Sequence, residues 1–501
     1  MKNSRKILVL IPAAMAFTLA GCTSSSGTTT DTDTGTTPTS TVPSTVPSTE
    51  KKGHFDHPVE IEFRSTLSYT EQIQQLIDDF QEIEPNVTVT YNKISGSYPT
   101  LKLNIIDAIG ANALPNIASC YPDHVAEYLE NGIVVNLEKY INSNEDYAWA
   151  EEDYNDFVPT LLNQCNSFAT KGTFMLPHTS STEGMFYDSR ILGLILEGCN
   201  DGNPISEDYL NNITWEELME KLAPALLKYN ADHGNILFAA NTENPSEEKG
   251  AIVAYSGADN AFVTFCEQKG VEFSHINNST GSGEITFNET STMRDTMKQF
   301  NEYYKSNLFT TATLEGENFV NVNEKHYSIF ATGSTGGIKN QIPSDNSFVT
   351  NVMRIPNFEG QPHKVISQGP GVCVFKSGDA DKDLASYLFI KFINQPENAL
   401  YWALETGYFP VRQSLFESDA YIDACTAGTK TGLDLLKAKT WSYAGTIQED
   451  VFTNAPFKGS DSARSLAGSL FNECVGYAGE LTDDILNSKF ETAINEIKKK
   501  M

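Results

Sequence analysis

Two residue periodicities alternate between residues 59 and 120, and that alternation limits the fold more than any other feature of the chain. Val59-Glu60-Ile61-Glu62-Phe63 alternates apolar and polar residues, the pattern of a half-buried strand. Ile73, Leu76, Ile77, Phe80 and Ile83 then recur at helical spacing, and Pro85 closes the helix. Val87-Thr88-Val89-Thr90-Tyr91 returns to period two. Leu101, Ile105, Ala108 and Ile109 mark a second amphipathic helix, and Asn116–Cys120 reads as a third strand. This β-α-β-α-β rhythm predicts an α/β fold with a mostly parallel sheet and helices on its faces. In such sheets ligands bind in loops outside the carboxyl ends of the strands.

The N-terminus carries a different kind of signal. Lys2, Arg5 and Lys6 precede an uncharged apolar run over residues 7–20. That run is shorter than the roughly 20 residues a membrane-spanning helix needs, so it reads as an export signal. It ends in Leu19-Ala20-Gly21-Cys22, which resembles a bacterial lipobox, where the Cys22 sulfur takes a diacylglyceryl group. An ordinary secretory signal with a chance cysteine is the alternative. Residues 1–22 are therefore expected to be a lipoprotein signal. Residues 23–57, almost all Ser, Thr, Gly, Asp and Pro up to residue 53, are expected to be a disordered tether. A flexible segment of this length reaches roughly 30 Å, and the globular body is expected to begin near Pro58.

The remaining chain is longer than one hydrophobic core usually supports, so two lobes are expected. The formal net charge is −30, which repels phosphate backbones and excludes nucleic acid as a natural partner. Besides Cys22 there are Cys120, Cys165, Cys199, Cys266, Cys373, Cys425 and Cys474, with no metal spacing among them. Most are expected to be buried as small hydrophobes, while one or two bridges stay open outside the cytoplasm. Thr214-Trp215-Glu216-Glu217 has the spacing of a capping box. Residues 241–250 and 275–290 are polar and read as surface insertions. Ala385–Phe392, Glu397–Thr406 and Ile485–Ile497 are helical in period.

Four blocks of sequence resemble, in order, segments of bacterial extracellular solute-binding proteins of the group that includes maltose and glycerol-3-phosphate binders. The opening strand and helix form the first. Ala113-Leu114-Pro115-Asn116-Ile117 with Tyr121-Pro122-Asp123 is the second, and Leu176-Pro177-His178-Thr179-Ser180-Ser181-Thr182 with Phe186-Tyr187-Asp188 the third. The fourth runs from Phe392-Ile393-Asn394-Gln395-Pro396-Glu397-Asn398-Ala399 to Thr406-Gly407-Tyr408-Phe409-Pro410-Val411. Arg64-Ser65 stand where many members carry Trp-His, which removes a familiar aromatic contact. The resemblance implies a periplasmic-binding-protein-like fold, with two discontinuous α/β lobes, a hinge and a ligand cleft between them. It assigns 58–179 and 331–371 to the N-terminal lobe, and 180–330 and 372–501 to the C-terminal lobe.

The function implied is that of a lipid-anchored, extracytoplasmic solute-binding protein of an ABC importer, a monomer that closes over its ligand and delivers it to a membrane permease. Alignment with glycerol-3-phosphate binders places Tyr98, Ser181, Gly369, Tyr408 and Arg464 at ligand-contacting positions, and Asp123 at that of the cleft acid. The chemistry fits: phenols offer a ring face and a hydroxyl, Gly369 admits close backbone approach, and Arg464 forks onto phosphate or vicinal hydroxyls. Each residue keeps a structural alternative. Tyr98 and Tyr408 are packing aromatics, Ser181 and Asp123 helix caps, Gly369 a hinge glycine, and Arg464 an ion-pair partner of Asp461. Trp402 is expected in the core, and His178 to be hydrogen-bonded. Gly333–Gly337 reads as either an anion-binding loop or a strand-to-helix turn. No metal or cofactor is expected. A carbohydrate is the first expectation for the ligand, and glycerol-3-phosphate or a glycerophosphodiester the second. A secreted glycoside hydrolase is the alternative of another class, since it needs two flanking carboxylates, but GxSxG and HExxH signatures are missing.

Overall fold

The structure is a computed structural model that describes residues 53–237, 251–314, 328–343 and 348–501. Cys22, the signal, most of the Ser/Thr segment and the polar stretch 241–250 lie outside the described residues.

The chain first builds β1 (Val59–Ser65), β2 (Val87–Lys93), β3 (Ile117–Cys120) and β4 (Leu176–Pro177). β1 pairs in parallel with β2 and β3, in a register running from Val59 opposite Val87 to Ser65 opposite Lys93. Alternate β1 residues Val59, Ile61 and Phe63 are buried. The helix Thr70–Ile83 turns Ile73, Leu76, Ile77 and Phe80 onto this sheet, the i, i+3, i+4, i+7 stripe of its sequence. The chain then crosses to β5 (Ser181–Asp188) and builds β6 (Val253–Tyr255), a hairpin of β7 (Ser274–Ile276) and β8 (Gly283–Ile285), β9 (Phe309–Thr311), β10 (Phe330–Ser334), β11 (Thr350–Met353) and β12 (Val365–Gln368). It returns to the first sheet as β13 (Gly371–Val374) and adds β14 (Val451–Phe452) to the second.

The two sheets are thus ordered β2-β1-β3-β13-β4 and β14-β12-β5-β10-β6-β9, with β11 also on β5. Each has its own apolar core. The first joins Phe63, Phe80, Val372, Phe389 and Trp402; the second joins Met185, Trp215, Phe262, Phe300 and Phe471.

Pairing corrects the expected lobe limits. β10, β11 and β12 bond to β5 in the second sheet, so 331–368 does not belong with the N-terminal lobe. Residues 371–415 do not belong wholly with the C-terminal one, because β13 pairs β3 and β4 and Tyr387, Trp402, Val411 and Leu415 pack in the first core. From Tyr421 onward the chain packs in the second. The three crossings lie at 177–181, 368–371 and 415–421. The first two touch: Thr179 donates its backbone N–H to Pro370 O at 3.1 Å. A Cβ on Gly369, whose φ is +127°, would lie 2.5 Å from Thr179 O. Only glycine fits that crossing.

The body also begins earlier than Pro58. Phe55 is buried, its carbonyl accepts from Asn86 Nδ2 at 2.7 Å, and His54 bonds to Glu84. All seven cysteines from Cys120 onward are free thiols, six of them buried. Thr214 Oγ1 accepts from Glu217 N, as a cap should. The polar segment 275–290, read as a surface insertion, carries most of the β7–β8 hairpin. Among the described residues no helix is long and apolar enough to cross a membrane.

Candidate ligand cleft

Tyr121 sits directly after β3, where Pro122 at the first helical position turns the chain into the helix Pro122–Glu130. Its ring meets that of Tyr98, the first residue of the helix Tyr98–Ala111, at 4.8 Å and 71°. Tyr408 arrives from another direction. The helix Pro396–Thr406 stops at Gly407 in the left-handed conformation, and Tyr408 follows, packed edge-on to Tyr69 and parallel to Trp402. Burial pushes the Tyr98 phenol well above its usual range, and the neighbouring Tyr408 and Tyr121 add to this. Burial likewise pushes Tyr121 up to about 12, with the Arg464 guanidinium pulling the other way. The Tyr98 hydroxyl has no hydrogen-bond partner of good geometry among the described residues.

Arg464 comes from the second lobe, on the helix Ser460–Val475. Its Nη2 donates to Asn260 Oδ1 at 2.7 Å and lies 3.4 Å from Asp259 Oδ2. Asn260 Nδ2 in turn donates to Glu183 Oε1 at 2.9 Å, and the Tyr255 hydroxyl donates to Glu183 Oε2 at 2.8 Å. Glu183 is fully enclosed, and burial raises its carboxyl to about 7 against the hydrogen bonds from Asn260 and Tyr255. A hydrogen-bonded chain therefore links a buried acid to a guanidinium at the cleft. Arg464 does not pair with Asp461. That carboxylate instead takes Lys102, which also holds Glu127 at 3.0 Å, so an ion pair spans the two lobes.

Between Tyr121, Asp123 and Gln164 on one side and Phe273, Asn454 and Arg464 on the other lies a cavity of about 40 Å³. That is room for a few waters and not for a sugar ring.

Five of the six residues expected from sequence gather around Tyr121: Tyr98, Asp123, Gly369, Tyr408 and Arg464. Asp123 is not the helix cap, since Tyr121 holds that position; its carboxylate accepts from His124 N. Ser181 caps no helix either. It opens β5 opposite Gln368, in the hinge rather than in the cluster. Gly336 packs under Tyr408, where a Cβ would lie 2.9 Å from the ring, and its N–H bonds to Ser334 Oγ. Gly333–Gly337 is therefore the packed turn of its two readings. His178 is buried against Trp402, which is itself in the core, and burial lowers its imidazole to about 4.

Tyr121, Asp259, Asn260 and Glu183 were not singled out by the sequence. A signal existed for three of them: Tyr121 follows β3 and Asp259-Asn260 follow β6, both at carboxyl ends of parallel strands. Glu183 offered none, because only the fold buries it.

The sequence profile of the bacterial extracellular solute-binding proteins matches residues 75–428. A search of curated proteins finds no sequence relative. Solved structures are similar at low identity. The cyclic α-maltosyl-1,6-maltose binding protein of Arthrobacter globiformis is 15% identical with a TM-score of 0.64, over 88% of this chain and 99% of that one. UgpB of Mycobacterium tuberculosis, in complex with glycerophosphocholine, is 14% identical at 0.65, over 88% and 98%. The maltose/maltodextrin-binding domain MalE of Bdellovibrio bacteriovorus, bound to maltotriose, is 12% identical at 0.62, over 88% and 100%. With its two lobes, three crossings and a profile match over most of its length, this chain belongs to the bacterial extracellular solute-binding proteins.

Proposed function

We propose that this protein captures a carbohydrate by closing its lobes on it and delivers it unchanged to the permease of an ABC importer. One observation carries the ligand class: phenols of the first lobe face an Arg464 whose charge is already met by Asp259. Aromatic faces and polar hydroxyls suit a neutral ring with C–H faces and several OH groups, whereas a free guanidinium would suit an anion. The sugar-binding proteins of similar fold support the same reading. Closure requires that the ligand prefer the closed form, since equal affinity for both forms shifts nothing.

Calorimetric titration with a panel of sugars, polyols and glycerophosphodiesters tests this. A sugar is expected to bind, and Tyr121→Ala and Arg464→Ala are each expected to weaken it at least roughly tenfold, the weight of a buried anchor residue. Conversion of the bound sugar would instead revive the hydrolase. Glycerophosphodiester capture is the second reading. It draws on Arg464 Nε, which is buried without a partner among the described residues, and on the similar fold of the glycerophosphocholine complex. Binding of a phosphodiester with no sugar bound would replace the carbohydrate reading.

Attachment through Cys22 completes the proposal, supported by Leu19-Ala20-Gly21-Cys22 and the polar segment behind it. Cys22→Ala is expected to move the protein from the membrane fraction to the soluble one. An unchanged distribution on fractionation would rule the anchor out.

A further inference from the structure

We propose that the groove between residues 166–171 and the β7–β8 hairpin is an outer compartment of the ligand site, taking the further rings of an oligosaccharide. The inference rests on the carbohydrate reading above and adds the length and direction of the ligand.

The groove encloses about 450 Å³, against about 40 Å³ at Tyr121, and falls within the usual size of small-molecule sites. The two spaces adjoin, because Ser274, Thr453, Asn454 and Ala455 line both. Its walls come from different lobes. Asn166, Ser167 and Lys171 belong to the segment before β4, and His275, Asn277 and Asn278 to the hairpin.

Two polar atoms on these walls are unmet. Asn166 Oδ1, from the first lobe, and Asn454 Nδ2, from the second, are both buried with no hydrogen-bond partner among the described residues. One is an acceptor and the other a donor, the two roles that a sugar hydroxyl fills. Buried polar atoms in folded proteins are normally satisfied, and an exception calls for an explanation. The charges nearby are largely spoken for. His275 is held by Glu272 at 2.9 Å and Glu284 at 3.3 Å, which leaves Lys171 at the rim. A neutral polyhydroxylated ligand fits this lining better than an anion does.

The hairpin wall is rigid. Asn277 Oδ1 accepts from Ser279 N and Thr280 N, and Asn277 N bonds Ser282 O at 2.8 Å. Gly283 lies flat under the Phe457 ring, where a Cβ would come within 2.1 Å, and the tip at Gly281 reaches Ala169 of the other lobe. A ligand lying here touches both lobes and so favours their closure.

The test is calorimetric titration of the full chain with matched one-ring and four-ring sugars of gluco, galacto, manno and xylo configuration, with glycerophosphocholine alongside. A four-ring sugar is expected to bind at least tenfold more tightly than its one-ring counterpart. Asn166→Ala, which lies outside the cavity at Tyr121, is expected to erase most of that ratio while leaving one-ring binding unchanged. Asn278→Trp, at an exposed hairpin position, fills the groove without disturbing the core and is expected to do the same. Equal affinity for one and four rings, or variants that weaken both lengths alike, would overturn the outer compartment while leaving carbohydrate capture intact. Binding of glycerophosphocholine with no sugar bound would sink the carbohydrate reading and this inference with it.

Discussion

Replacing Arg412 by alanine is expected to cost about 3–5 kcal/mol of stability, the range for removing one partner of a buried ion pair. The guanidinium is fully enclosed. Its Nη1 donates to Asp153 Oδ1 at 2.8 Å and to Asp153 O at 2.9 Å, while Nε bonds the carbonyl of Asn394. It also lies 4.8 Å from the Phe157 ring centroid and 5.8 Å from that of Trp149. Two effects oppose each other in the variant. Asp153 and Asp156 keep some exposure, at 29% and 21% of their side chains, and rehydrate in part. The Asn394 carbonyl and the two rings have no such relief and border a new cavity. The second effect wins, and urea denaturation measures the balance. Arg412→Lys keeps the charge but cannot reach Asp153 and Asn394 together, so an intermediate loss is expected. A loss below about 1 kcal/mol in the alanine variant, the scale of exposed pairs, would mean that water already reaches the site. Because Arg412 fixes the return of the chain four residues after Tyr408, the same variant should also loosen ligand binding.

Glu183 is expected to make stability fall with pH by about 3 kcal/mol between pH about 4.5 and about 7. Its carboxyl is raised to about 7 in the folded protein, from an ordinary 4.5. In that window the folded chain keeps a proton that the unfolded chain releases. Rising pH therefore favours unfolding, and the penalty is complete above the folded value. Glu183→Gln imitates the protonated acid, with its amide oxygen toward Asn260 and its nitrogen toward a Tyr255 hydroxyl that turns to accept. Denaturation curves at pH 5 and pH 8 should show the wild type losing about 2.5 kcal/mol more than the variant across that interval. Parallel losses would show Glu183 already ionised at pH 5. Asn260 connects this carboxyl to Arg464 at the cleft.

The parts of this protein that could be read from sequence are those where local pattern and tertiary environment agree. β1, the helix Thr70–Ile83, β2, the helix Tyr98–Ala111 and β3 stand where their periodicities put them, because each buries one face against a neighbour close in sequence. The Thr214 cap and the helices near 385–406 and 485–497 are equally local. The order of blocks was enough to place the chain in its family.

What only the tertiary structure decided are the long-range pairings. Nothing in Phe330-Ala331-Thr332-Gly333-Ser334 tells which sheet it joins. Its partners, β5 and β6, lie many residues away, and an apolar strand buries equally well in either sheet. The lobe limits went astray for that reason. So did the partner of Arg464, since Asp461 three residues earlier satisfies helical spacing while Asp259 and Asn260 meet it in space. Tyr121, the buried Glu183 and the two-lobed wall of the groove share this origin: sequence supplies the side chains, and only the crossings at 177–181, 368–371 and 415–421 bring the two lobes' side chains together.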